Sequence, residues 1–196
     1  MTEDRPLPRG FYLSDTVHVA EHLVGKTLVR VRDRSRMEGK IVEVEAYKGD
    51  EDPASHAFRG PTRRNMPMFA EPGHAYVYFT YGNHYCLNVT TEPIGIAGAV
   101  LIRALEPLKG LHSMKRLRPI ACDVELTNGP GKLTKALGID RALNNVDMTK
   151  SGPLFIVDHK SVGSLVERSA RVGIRKGTDR LWRFFLSDNP YVSRRS

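Results

Sequence analysis

GKIVEVEAYKGDEDPASHAF, residues 39–58, is the stretch on which both fold and chemistry turn. Its first half reads as a β-strand, because Ile41, Val42 and Val44 supply β-branched bulk. Side chains alternate between the two faces of a strand, so Glu43 and Glu45 are expected on one face with Ile41 and Tyr47. Val42, Val44 and Ala46 take the other face and can pack on a core. A short strand that packs on one side thus lines up two carboxylates and a tyrosine on the other.

Around this strand the signals alternate between strand and turn. Residues 14–26, SDTVHVAEHLVGK, read as a short helix capped by Ser14 or Asp15, with an apolar stripe of Val17, Ala20, Leu23 and Val24, ended by Gly25. TLVRVR (27–32) and KIVEVEAY (40–47) read as two strands joined by the charged loop DRSRMEG. Residues 48–74 are loop-like. HAYVYFTYGNHYCLNVTT (74–91) reads as a hairpin with Gly82-Asn83 central in a type II′ turn, which places Tyr81 and His84 at its tip. A strand at 97–107, helices near 107–117 and 130–137, and strands in PLFIVD, ARVGIR and LWRFFLS complete the pattern. Strands outnumber helices and are joined by connections too short for crossovers. The expectation is an α+β fold: a single domain over residues 1–196 with a curved, mainly antiparallel sheet, a protruding β-hairpin and several short helices. Residues 1–10 are expected to be a flexible N-terminus and 190–196 a basic C-terminal tail.

Composition narrows the partners. The chain has 196 residues, 30 Lys plus Arg against 22 Asp plus Glu, and a formal net charge of +8. That excess points to a polyanion, although a basic enzyme with no specific partner has the same composition. Two cysteines give neither a disulfide framework nor a zinc-type pair. The N-terminal residues show no signal-peptide pattern and no apolar run reaches roughly 18 residues, so a soluble cytoplasmic protein is expected.

Four constellations could carry chemistry. His18, Glu21 and His22 spell H-x-x-E-H, an inverted zinc-protease pattern, but the same residues make an ordinary polar helix face and no metal is expected. Tyr81, a large aromatic at a hairpin tip, has little core to enter and is a candidate wedge between stacked bases. Tyr76 and Tyr85 are read instead as sheet packing. TNGPGKLTKALG (127–138) puts free backbone N–H groups and Lys132 at the start of a helix, a possible phosphate site. Arg103, inside the apolar AVLIRALEP, needs a phosphate, solvent or a carboxylate such as Glu43 or Glu106.

With these residues in place, the sequence resembles the alkyladenine (3-methyladenine) DNA glycosylases of the animal and bacterial type, from about Leu13 to Ser193. The likeness is densest in VEAYKGDEDPASHAFRG, TRRNMPMFAEPGHAYVYFTYGNHYCLNV, VLIRALEPLKG and NGPGKLTKALGI. It implies an enzyme that flips damaged purines from double-stranded DNA and hydrolyses the N-glycosidic bond, leaving an abasic site and needing no cofactor. Carried over, Glu45 matches the general base and Arg103 a residue positioning nucleotide and water. Tyr47, His56 and Tyr78 match the aromatic walls of the base pocket, and Asn88 the residue that crowds the 2-amino group of guanine. Tyr81 matches the wedge, with further DNA contacts expected from Asn83, Thr62, Arg63, Arg64 and Lys132. Glu43 is read as structural, partnering an arginine. A nucleoid-associated monomer is expected. Asn83 and His84 depart from the bulkier residues of animal members at the hairpin tip, as does the short N-terminus. The alternative is a non-catalytic basic module that only binds nucleic acid.

Overall fold

The computed structural model describes residues 5–159 and 165–193. Eight strands form one curled sheet: β1 (Thr27–Arg32), β2 (Ser35–Lys48), β3 (Ala75–Thr80), β4 (His84–Thr91), β5 (Gly98–Lys109), β6 (Leu154–Val157), β7 (Val166–Ser169) and β8 (Arg183–Leu186). Their order is β3-β4-β5-β2-β1-β6, with β8 pairing both β2 and β7, and all pairings are antiparallel. Four short helices, α1 (Arg9–Tyr12), α2 (Thr16–Leu23), α3 (Leu111–Leu117) and α4 (Pro130–Leu137), accompany them. The fold is therefore α+β, as expected. Apolar residues of α2, α3 and α4, including Leu23, Met114 and Leu133, join Leu28, Val44, Val77, Leu87 and Ile102 of the sheet in the main core.

The spine is β2. Its first part pairs with β1, its residues 43–45 pair with β8, and β5 runs beside it from Glu38 to Lys48. Where it changes partners it bulges: Ile41 faces Leu105 and Glu43 faces Ala104, leaving Val42 as the extra residue. This corrects the expected alternation. Ile41 belongs with Val44 and Ala46 in the main core, while Val42 packs with Ala104 and Leu186 in a separate cluster. Beyond the bulge Glu43, Glu45 and Tyr47 keep their common spacing.

Other differences are local. The β1–β2 connection is only Asp33 and Arg34, at φ 47° and 62°, so most of the supposed loop DRSRMEG pairs within the sheet. The hairpin tip is also shifted. Thr80 pairs with His84, and the residues with positive φ are Tyr81 (50°) and Gly82 (69°), not a Gly82-Asn83 centre. Residues 107–109 continue β5, and α3 starts after Gly110. ARVGIR is not a strand; β7 ends before it.

Asp15, not Ser14, caps α2, its Oδ1 accepting from the N–H groups of Val17 and His18. On that helix the rings of His18 and His22 stack at 4.0 Å, His22 Nδ1 faces the His18 carbonyl, and Glu21 accepts from Arg168. Among the described residues no group of three His, Cys, Asp or Glu side chains is arranged to hold a metal ion. None of the helices searched there is long and apolar enough to cross a membrane.

The described parts of the two ends are docked. Leu7 is buried and donates its N–H to the Ile156 carbonyl, and Arg9 pairs with Asp147, which corrects the expectation of a loose segment over residues 5–10. At the other end Ser193 reaches into the protein and bonds Glu43 through both backbone and side chain, so residues 190–193 are not a free tail.

Candidate active site

Glu45 has no exposed surface, and three donors hold its carboxylate. The Tyr47 hydroxyl donates to Oε2 at 2.8 Å, the Val172 backbone N–H to Oε1 at 2.7 Å, and Arg103 Nη1 lies 3.2 Å from Oε2. Tyr47 is two residues along the same strand, so the pleat brings its ring over the carboxylate. Burial first, then Glu45, raises the Tyr47 phenol well above its ordinary range, so it stays protonated and donates.

Arg103, on β5, bridges the two carboxylates of β2. Its Nε donates to Glu43 Oε1 at 2.9 Å while Nη1 faces Glu45. Burial opposes its charge, but Glu45 and Glu43 outweigh burial and its pKa is raised. Glu43 also accepts from Arg183 Nε at 2.7 Å, and from the Ser193 N–H and hydroxyl. Two arginines and a chain end thus absorb Glu43, which has the structural place expected of it. A buried carboxylate so satisfied fixes the arginine that orients its neighbour.

Above this layer opens a pocket of about 240 Å³. Tyr47, His56, Tyr76, Tyr78, Asn88 and Arg103 line it, with Tyr81 and His84 from the hairpin tip and Pro130 from the start of α4. Glu45 is not itself in the lining; it sits directly behind Tyr47, Arg103 and Val172, which are. The ring centroids of His56 and Tyr78 lie 4.6 Å apart edge to face, and those of Tyr76 and Tyr78 lie 5.2 Å apart. His56 Nδ1 is 3.0 Å from the Tyr76 hydroxyl. Burial and then the charge of Arg64 hold His56 below its ordinary pKa, so the imidazole is neutral at physiological pH. Asn88 donates to the Tyr76 carbonyl at 3.0 Å, which pins its amide at the pocket edge.

The expected DNA contacts sit around the mouth. Tyr81 is 82% exposed at the tip, and Asn83 beside it hydrogen-bonds His84. Thr62 closes a turn with Asn65: its N–H donates to Asn65 Oδ1 and its hydroxyl accepts from the Asn65 N–H. Arg63 and Arg64 follow, exposed, on the outer side of β3. Lys132 donates to Asn128 Oδ1 at 2.8 Å, just outside the pocket. None of Thr62, Arg63, Arg64, Asn83 and Lys132 lines the pocket itself.

Three contributors are not legible in the sequence. Tyr76, read as packing, is a pocket wall. Arg171 and Val172 come from the segment taken for a strand. Arg171 is fully buried and grips Asp52 with both Nη atoms, at 2.5 and 2.8 Å, while its guanidinium lies 4.7 Å from the Tyr47 ring centroid. An arginine next to Val-Gly in an apolar stretch, with an aspartate-proline turn upstream, is at best a faint signal for such a pair.

Residues 10–190 match the sequence model of the methylpurine-DNA glycosylase (MPG) family. Among curated proteins named "Putative 3-methyladenine DNA glycosylase", that of Carboxydothermus hydrogenoformans is 50% identical over 190 residues, covering 96% of this chain and 99% of its own. That of Prosthecochloris aestuarii is 49% identical over 96% of this chain and 91% of its own. That of Methanocella arvoryzae is 48% identical over 97% and 96%. With a match that spans both the sheet and the pocket, the chain belongs to the methylpurine-DNA glycosylase family.

Proposed function

We propose that this protein is a DNA repair glycosylase that flips alkylated, and also deaminated, purines out of duplex DNA and hydrolyses the N-glycosidic bond with a water activated by Glu45. The observation that carries the reading is the carboxylate of Glu45, buried behind an aromatic pocket and held on three sides. A carboxylate has about four lone-pair positions, and three are taken, so one acceptor remains for a water beneath the bound nucleotide. Taking a proton from that water as the glycosidic bond breaks is typically worth about 10²–10⁴-fold in rate. The same negative charge stabilises the positive charge developing on the sugar.

The pocket addresses the cost of extrusion. Flipping a nucleotide costs a few kcal/mol, and stacking on aromatic side chains returns roughly 1–3 kcal/mol per base. Tyr47, His56 and Tyr78 provide that stacking, and Tyr81 stands where a side chain can enter the gap in the duplex. Asn88, pinned by Tyr76, narrows the edge against the extra amino group of guanine. Damaged purines unpair more easily, which adds selectivity before the pocket is reached. Glu45 stands where a lyase would need an amine, so the product is an abasic site with the strand intact.

Single-turnover base release from a duplex with one alkylated or deaminated purine, followed by alkali and with a chelator present, tests this. Release by wild type and loss of at least about 10²-fold in Glu45→Gln is the expected result. Equal release by both proteins, or strand cleavage without alkali, would overturn the mechanism. DNA binding with no release from any lesion would favour the non-catalytic module.

A further inference from the structure

Both aromatic walls of the pocket carry an arginine outside it. Arg171 lies 4.7 Å from the Tyr47 centroid and Arg64 lies 5.1 Å from the Tyr78 centroid, yet neither is among the residues that line the pocket. Their situations differ. The charge of Arg171 is answered by Asp52 at 2.5 Å in a fully buried pair. Among the described residues Arg64 makes no ion pair, and it stands exposed in an outer hollow with Arg63 and Arg141.

An aromatic ring attracts a cation through the negative potential of its faces. Tyr78 already has one cation at it, and a second, brought in as a positively charged base on the pocket side, meets a ring partly engaged and a like charge across it. A neutral base loses nothing by this and still gains the stacking. We propose that Arg64 is a specificity-determining residue, which biases the pocket away from cationic alkylated purines and toward neutral purines by occupying the outer side of Tyr78.

The reach of its charge is visible inside. After burial, Arg64 is the group that holds His56 below its ordinary pKa, and it also bonds the Tyr76 hydroxyl that faces His56, so its charge disfavours positive charge at these pocket walls. The pocket lining already includes the Arg103 guanidinium, and Glu45 behind it is paired with that arginine.

The inference rests on the glycosylase reading, and its test separates the two. Base release is measured under single-turnover, subsaturating conditions from two duplexes, one with a cationic N7-alkylated purine and one with a neutral deaminated purine. Wild type, Arg64→Gln and Arg63→Gln are compared at two salt concentrations. Cation–aromatic attraction of this size predicts that Arg64→Gln raises the cationic-to-neutral rate ratio by about three- to tenfold. Arg63→Gln, in the same hollow but not against Tyr78, should leave the ratio where it is. If Arg64→Gln lowers both rates equally and flattens the salt dependence, Arg64 is a phosphate contact and the inference falls. An unchanged ratio sinks it as well, while the glycosylase reading stands. No release from either duplex by wild type would take down both.

Discussion

Replacing Asp52 by Asn should be among the most damaging single-atom changes this protein can receive. The side chains of Asp52 and Arg171 are both without exposed surface, and two hydrogen bonds at 2.5 and 2.8 Å join them. Arg171 has only backbone carbonyls besides, those of Ala46 at 2.9 Å and Gly177 at 3.3 Å. An asparagine keeps the shape but sets an N–H₂ donor against one of the two N–H donors and leaves a buried cation with no counter-charge. Breaking a buried pair from one side costs about 3–5 kcal/mol. For a chain of this size that is a fall in Tm of roughly 6–20 °C, at 2–4 °C per kcal/mol. Urea unfolding followed by the fluorescence of Trp182 reads it directly, because Trp182 is the only tryptophan and lies 5.2 Å from Arg171. Removing both charges, in Asp52→Asn with Arg171→Met, should recover most of the loss, since no unpaired charge is left inside. A cost below about 1 kcal/mol for Asp52→Asn, or a double variant that merely sums the two singles, would refute the reasoning. The damage should also reach the chemistry: the residue after Arg171 donates to Glu45, so base release should fall further than the folded fraction does.

Three shorter tests address the rim and the walls. Tyr81→Ala should change stability by no more than about 0.5 kcal/mol, because the ring is exposed, yet slow release from duplex at least about fivefold through lost stacking; equal effects on single-stranded substrate would contradict its role as a wedge. Gly131→Ala puts a Cβ 2.6 Å from Cγ of His84, so the hairpin tip must move, with an expected cost of about 1–3 kcal/mol in urea unfolding. His56 is held below its unfolded pKa of about 6.5, so the unfolded chain binds the extra proton first; its contribution to stability is full above that value and falls as pH drops through and below it. His56→Gln should remove that part of the pH dependence in melts taken between pH 7 and 5, and an unaltered slope would rule it out.

What the sequence made legible follows from what kind of force places each residue. The strands are local matters of β-branched runs and turns, and most are where the pattern puts them. The hairpin tip was misplaced by one residue because Tyr81 itself adopts a positive φ, which residue preferences assign to glycine or asparagine first. The β2 bulge left only a faint local mark. In IVEVEAY the apolar pair Ile41-Val42 interrupts an otherwise regular alternation, and the extra residue at Val42 lies where the strand passes from β1 to β8, a fact of tertiary pairing. ARVGIR alternates just as well, yet has no strand to pair with; its arginine goes to Asp52 and its next N–H to Glu45.

The site shows the same division more sharply. That Glu45 and Tyr47 share a face could be read from spacing alone, since a strand enforces it. That Arg103 would serve both carboxylates could not, because it lies on β5 and its meeting with Glu43 and Glu45 is set by tertiary pairing. The consequence is a division of labour between two like residues two positions apart. Glu43 spends its acceptors on Arg103, Arg183 and Ser193, and so is fixed as an anchor. Glu45 receives one arginine nitrogen, one phenol and one backbone N–H, and keeps one acceptor position that these donors do not use. Two carboxylates so close, with no cation between them, would repel one another. Arg103 sits between the two, which lets one strand hold two acidic side chains with no exposed surface.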